Sequence, residues 1–184
     1  MAVLRRGSKR TTFKTNADVL CKILEEHEDW ICTHKKEGKR ADLSDADLSD
    51  ADLSDANLSD ADLSDADLSD ANLSGAKLSG ADLDGANLSD ANLSDADLSG
   101  ASLSDADLSG ANLEGSNLQG VNLEEANFQG ANLMGATFNI DNLKSASNWV
   151  LAYYSEDILN DLGLPAMHNK LIPKKDLRGY NLQD

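Results

Sequence analysis

Basic side chains are almost missing from the middle of this chain: between residues 41 and 140, Lys77 stands alone against 21 acidic residues. Aromatic residues are scarce throughout, at 4% of the 184, which excludes a core built on packed rings. Two cysteines, Cys21 and Cys32, are too few for a disulfide framework and fit a reducing compartment, so the expected location is the cytoplasm. No apolar run approaches the ~18 residues of a membrane span. All three histidines (His27, His34 and His168) fall outside the acidic middle, and no Gly-Xaa-Ser-Xaa-Gly elbow, phosphate loop or metal-ligand cluster accompanies them. A surface of Ser and Asp offers no concave pocket in which a pKa could be tuned. The chain is therefore not expected to be an enzyme, and no cofactor or metal is implied.

What the middle does contain is one five-residue word, written twenty times without a gap from residue 41 to 140. Typical forms are Ala-Asp-Leu-Ser-Asp and Ala-Asn-Leu-Ser-Gly. The third letter is Leu except at Phe128 and Phe138, and the first is Ala except at Ser116 and Val121. A degenerate word, Asp141-Asn-Leu-Lys-Ser145, closes the run. In a helix, five steps of ~100° would make successive leucines drift by ~140°, so no single face would collect them. A flat strand would send them alternately to opposite faces. A chain that turns one corner per word brings them together: Ala and Leu point inward, and the polar pair between words makes the bend. Four bends close a square, so one coil takes twenty residues.

These words resemble the pentapeptide-repeat family. The resemblance implies an all-β solenoid, a right-handed quadrilateral β-helix of about five coils, with an α-helical cap expected at each end. Stacking by twenty would place Leu43, Leu63, Leu83, Leu103 and Leu123 in one inner ladder, with three more beginning at Leu48, Leu53 and Leu58. Phe128 and Phe138 would make the last full coil bulkier.

The flanks divide the rest. Residues 1–15 read as a basic tail (Arg5, Arg6, Lys9, Arg10, Lys14) without the apolar core of a signal peptide. Residues 16–40 read as an N-terminal helical cap: Asn16 is a plausible N-cap for a helix over about 17–33, and Val19, Leu20, Ile23, Leu24, Trp30 and Ile31 recur at helical spacing. The repeat domain is expected over 41–145. Residues 146–184 read as a C-terminal helical cap, a helix over about 148–162 with Trp149, Ile158 and Leu162 on its apolar face and a possible restart at Ser155. A partial coil on Leu177 and Leu182 follows. Such caps cover the core and strand edges that an open solenoid end exposes. The same C-terminal residues could pair two chains, leaving monomer and homodimer both open.

Charge is segregated. The net charge of −17 comprises about +4 in residues 1–40, −20 in 41–140 and −1 beyond. Assigned to four faces, 15 of the 21 acids fall on the first two, among them Asp42, Asp45, Asp62, Asp65 and Asp82 on one and Asp47, Asp50, Asp67 and Asp70 on the next. Five coils at ~4.8 Å make a rod ~24 Å long, or one charge per ~1.2 Å, denser than the ~1.7 Å of B-DNA. Stacked aspartates are expected to raise one another's pKa. The main reading is a non-catalytic acidic scaffold for protein interaction, with no direct binding of nucleic acid or membrane by the solenoid. The resemblance adds an alternative, a DNA mimic that binds DNA gyrase or topoisomerase IV, as some family members do. The array lacks the loops that interrupt the coils of quinolone-protecting members. A third reading, divalent cations bridging aspartate rows, has no glycine-rich nonapeptide calcium repeat behind it.

Overall fold

The computed structural model describes residues 16–166 and 168–171. The basic tail and the words around Leu177 and Leu182 lie outside the described residues.

Each word folds by the same local bonds. The Leu carbonyl accepts a hydrogen bond from the amide three residues on, as from Ala46 to Leu43 (3.1 Å) and from Ala86 to Leu83 (3.1 Å). The fifth letter sits in the left-handed region, with φ of 58° at Asp45 and 67° at Gly75. A turn with positive φ at its third residue alone is of type II, which explains why that letter is Gly or Asp in every word but those ending at Glu125 and Ile140. The second letter braces the same corner: Asp42 Oδ1 accepts from the Ser44 amide (3.3 Å) and hydroxyl (2.7 Å).

Coils are joined at a step of twenty. The Leu83 amide donates to the Ser102 carbonyl (2.8 Å), and the Asp82 amide donates back to the Ala61 carbonyl (2.9 Å). Parallel bridges run Asp42–Asp62–Asp82–Ser102 on the first face and Asp52–Asn72–Asn92–Asn112–Asn132 on the third. The result is a solenoid, yet little of it is regular strand. Among the described residues only β1 (Asn117–Leu118) pairs with β2 (Thr137–Phe138), in parallel; the other words of the array contribute isolated bridges. A turn every five residues leaves too little extended chain for more.

Leu43, Leu63, Leu83, Leu103 and Leu123 are buried, as is Phe128. Phe138 is only half-buried: it stands where the array ends and meets Tyr154 edge-on at 6.2 Å. Most first-letter alanines are buried too, but Ala46, Ala51 and Ala56 of the first coil are half-buried.

At the N-terminal end, α1 (Ala17–Cys32) begins at Asn16, whose side chain accepts from the Asp18 amide. Leu20, Ile23 and Leu24 pack half-buried against the core, whereas Val19, expected on the same stripe, is 52% exposed because the stripe faces the coil over only part of its arc. Trp30 is half-buried and stacks on the buried ring of His27 at 5.5 Å. The chain turns back at Gly38 (φ 71°), where an added Cβ would lie 2.1 Å from the Glu26 carbonyl oxygen. It then enters the first coil at Ala41, whose amide donates to His27 Nδ1 at 3.0 Å.

The C-terminal end departs from expectation twice. The word from Asp141 is not a turn of the solenoid: α2 (Ile140–Leu143) forms there, N-capped by Asn139, and keeps only Leu143 in the core. Nor is 148–162 one helix. A short 3-10 turn at Trp149–Leu151 follows Asn148, which is left-handed at φ 55°. The chain then extends through Ala152 and Tyr153, and α3 (Glu156–Leu162) starts after Ser155. The extended residues are needed by the solenoid: Ser147 bridges Asn127, and Tyr153 bridges Asn132. Leu162 is buried, and Trp149 and Ile158 are half-buried against the core. A short helix α4 (His168–Leu171) ends the described chain, and His168 Nε2 meets the Ala152 carbonyl at 2.9 Å.

Candidate functional site: the acidic faces

The bridges divide the surface into four columns of second letters. The first reads Asp42, Asp62, Asp82, Ser102, Asn122; the second Asp47, Asp67, Asn87, Asp107, Asn127, Ser147; the third Asp52, Asn72, Asn92, Asn112, Asn132; the fourth Asn57, Lys77, Asp97, Asn117. The structure therefore brings together Asp42, Asp62 and Asp82, and likewise Asp47 and Asp67, at adjacent levels. Fifth letters follow the same register, so Asp45 lies below Asp65, and Asp50 below Asp70. Those four are exposed, as is Asp42, while Asp47, Asp62, Asp67 and Asp82 are half-buried.

Asparagine does more in these columns than its turn-forming character suggests. On the third face, Nδ2 of each Asn donates to Oδ1 of the residue one coil below: Asn72 to Asp52 (3.1 Å), Asn92 to Asn72, Asn112 to Asn92 (both 3.2 Å) and Asn132 to Asn112 (3.1 Å). The Oδ1 atoms still brace their corners, as Asn92 does for the Ser94 amide (3.2 Å). On the second and fourth faces, an Asn above an Asp supplies the same bond, Asn87 to Asp67 (3.0 Å) and Asn117 to Asp97 (3.0 Å). The run Asp42–Asp62–Asp82 contains no amide to make it. Sequence reading took Asp and Asn as interchangeable turn formers and missed this ladder; the signal was there in the spacing of Asn by twenty.

Mutual repulsion does not dominate where a direction is resolved. Asp52 and Asp97 are held below the usual carboxylate range, first by the hydroxyls of Ser54 and Ser99, then by the amides of the same two residues. Neither is stacked on another Asp: Asp52 lies under Asn72, and Asp97 lies between Lys77 and Asn117. Asp84, the one Asp at a fourth letter, reaches up a coil to the Ser102 hydroxyl and the Ser104 amide. An open depression on the third face, bordered by Asp95, Asn112, Glu114 and Met134, is continuous with bulk solvent. Among the described residues, no three His, Cys, Asp or Glu side chains converge in a metal-binding set. No helix among them is long and apolar enough to cross a membrane.

A family model for pentapeptide repeats matches residues 39–75, 66–105 and 101–139, in eight copies that together span more than half the chain. The chain belongs to the pentapeptide-repeat family. No curated protein matches it in sequence. Among solved pentapeptide-repeat structures, one from the thylakoid lumen of Arabidopsis thaliana is 42% identical over 49% of this chain and 63% of its own length, with a TM-score of 0.48. This chain thus spans less than two thirds of that protein. A pentapeptide-repeat protein from Nostoc PCC 7120 is 38% identical over 71% of this chain and 93% of its own (TM-score 0.38). QnrB1, a plasmid-mediated fluoroquinolone resistance protein, is 18% identical over 71% and 74% (TM-score 0.38). Membership of the pentapeptide-repeat family rests on the repeat match, not on these superpositions.

Proposed function

We propose that this protein is a non-catalytic interaction scaffold of the cytoplasm: a right-handed solenoid of about five coils, closed at both ends by helices, that offers its first two faces to a basic protein surface. The observation that carries this reading is the distribution of Asp against Asn. Asn meets every structural demand of the second letter and adds a cross-coil hydrogen bond. The fold therefore has no need of the acid at Asp42, Asp62 and Asp82, where like charges stack at a level spacing of ~4.8 Å. At the fifth letter Gly meets the left-handed turn at less cost than Asp, yet Asp45, Asp50, Asp65 and Asp70 stand there. Charge in excess of structural need, gathered on two adjacent faces, supports a surface kept for a partner. Unpaired Cys21 and Cys32 accord with a reducing compartment: both lie on α1, eleven residues and ~16 Å apart, too far for a disulfide.

The finer reading makes the partner a DNA-binding enzyme, DNA gyrase or topoisomerase IV, met by a rod whose field resembles that of a duplex. The test is a gyrase supercoiling assay titrated with the parent and with a variant carrying Asn at Asp42, Asp45, Asp47, Asp50, Asp62, Asp65, Asp67 and Asp70. Asn keeps the corner-bracing oxygen at second letters and tolerates left-handed φ at fifth letters, so the variant should fold. Inhibition or quinolone protection by the parent, weakened by salt and lost in the folded variant, is the expected result. No effect of the parent removes gyrase; a variant as active as its parent removes the acidic faces.

A further inference from the structure

We propose that His27 is a proton-sensitive latch that fastens α1 to the first coil, and that mild acid releases the helix and uncovers the coil's free edge and the leucines beneath it. This rests on the reading of α1 as a cap and adds to it a condition under which the cap opens.

The geometry fixes the protonation state. His27 is fully buried, and its Nδ1 accepts the Ala41 amide proton at 3.0 Å. An accepting Nδ1 carries no proton, so the ring is neutral and its proton sits on Nε2. That second nitrogen is buried too and has no hydrogen-bond partner among the described residues, while the Ser59 backbone favours the charged ring. Adding a proton places N–H against N–H at Ala41, the first residue of the array. The Ala41 amide then loses its acceptor in a buried place, and the charged ring has lost its water.

The surroundings give no full compensation. Glu28 on α1 and Asp60 on the first coil favour the charged ring, while Arg40 in the return segment opposes it. Both acids are otherwise engaged: Asp60 pairs with Lys35 at 3.1 Å, and Glu28 receives the Asn57 amide (3.0 Å) and the Cys32 thiol (3.3 Å). Lys35 Nζ also lies 4.7 Å from the centre of the Trp30 ring that stacks on His27, adding positive charge to the same stack. Burial is the largest influence, and it holds the ring's pKa below 6.5. His34 and His168 do not take this position: His34 is exposed, and His168 meets the Ala152 carbonyl through Nε2, as a donor can in either charge state.

The sign follows. Docked α1 holds His27 neutral, while the released helix lets it titrate near 6.5, so docking weakens as pH falls below 6.5 and levels off below the docked pKa. The experiment uses the full chain. The imidazole C–H resonances and the hydrogen-exchange protection of the Ala41 amide are followed from pH 8 to 5.3, in the parent and in His27→Asn, whose amide oxygen can replace Nδ1 as acceptor but does not titrate. The expected result is a His27 midpoint below 6.5 and an Ala41 protection factor that falls by up to about tenfold per pH unit through that window. In His27→Asn the protection should be flat with pH. A parent whose Ala41 protection stays constant while His27 titrates overturns the latch, as does an equal loss in His27→Asn. If His27→Asn does not dock at pH 8, coincidence of the two midpoints in the parent decides. An unprotected Ala41 in the parent at pH 8 instead overturns the cap itself, so the two readings fail separately.

Discussion

Replacing Asp62 by Asn should stabilise the protein, although most substitutions in a folded core or ladder destabilise. Asp62 sits between Asp42 and Asp82 in the first column, and its Oδ1 accepts from the Ser64 amide (3.2 Å) and hydroxyl (2.7 Å). Asn keeps both bonds, as Asn72 does for Ser74. The new amide can also donate to Asp42 Oδ1 one coil below, in the geometry that Asn72 uses toward Asp52 at 3.1 Å. That bond contributes about 0.5–1.5 kcal/mol. Removing one charge from a column with level spacing of ~4.8 Å relieves two repulsions of about 0.9 kcal/mol each in water, less after screening. The sum is about 1–2 kcal/mol of stabilisation, shrinking toward the hydrogen-bond share in high salt. Asn92→Asp is the reciprocal control: it gives up the donor to Asn72 Oδ1 while keeping the acceptor for Asn112, and should cost about 1 kcal/mol. Urea melts of the three proteins at low and high salt measure both. A loss of stability in Asp62→Asn would mean that the acid is needed by the fold, and the case for a binding surface would lose its main support.

Leu83→Ala removes a buried side chain whose neighbours Leu63 and Leu103 are held by ladder bonds and cannot collapse inward; urea melts should show a loss of about 3–5 kcal/mol, and a loss under about 1.5 kcal/mol would show a pliable core. Gly38→Ala forces a methyl to 2.1 Å from the Glu26 carbonyl oxygen and 2.7 Å from the Trp30 amide nitrogen at φ 71°. It should lower Trp30 burial, read by fluorescence, and cost at least the ~1–2 kcal/mol of a left-handed non-glycine residue. Ser99→Ala removes the hydroxyl that most depresses Asp97. Because a depressed carboxylate gives stability that is present above about pH 3.8 and lost below it, the variant's acid melting limb should be shallower than the parent's between pH 3.8 and the folded pKa. An unchanged limb would mean that the hydroxyl does not hold the carboxylate.

The solenoid was legible because its word is redundant. Leu at letter three and Ala at letter one fix which side chains turn inward, and Gly or Asp at letter five marks a left-handed corner that few other residues tolerate. Twenty copies leave one register, and the bridges from Asp42 to Asp62 and from Asn112 to Asn132 follow it. Less legible was the work done between coils. Asp and Asn look equivalent within a word, because both brace the Ser two residues on. They differ only when a second Asn or Asp lies twenty residues away, so the ladder is a property of columns.

The ends follow a different logic. A period says where every interior residue goes and nothing about the first and last coils, where each element has only one neighbour. At the C-terminal side, Asn148 to Leu162 has helical composition, and local propensity favours one helix. The coil below it instead presents open positions above Asn127 and Asn132, and extended backbone at Ser147 and Tyr153 fills them. The step lengthens from twenty residues at Ser147 to twenty-one at Tyr153, with left-handed Asn148 and the turn at Trp149 between them. Backbone pairing therefore outweighs helix propensity up to Ser155, and the helix begins only once the edge is met. The N-terminal side shows the converse: α1 keeps its propensity and reaches the edge through side chains, His27 to Ala41 and Glu28 to Asn57. An end held by backbone pairing should be insensitive to pH, whereas an end held through an imidazole should not, and the two ends of one protein supply the comparison.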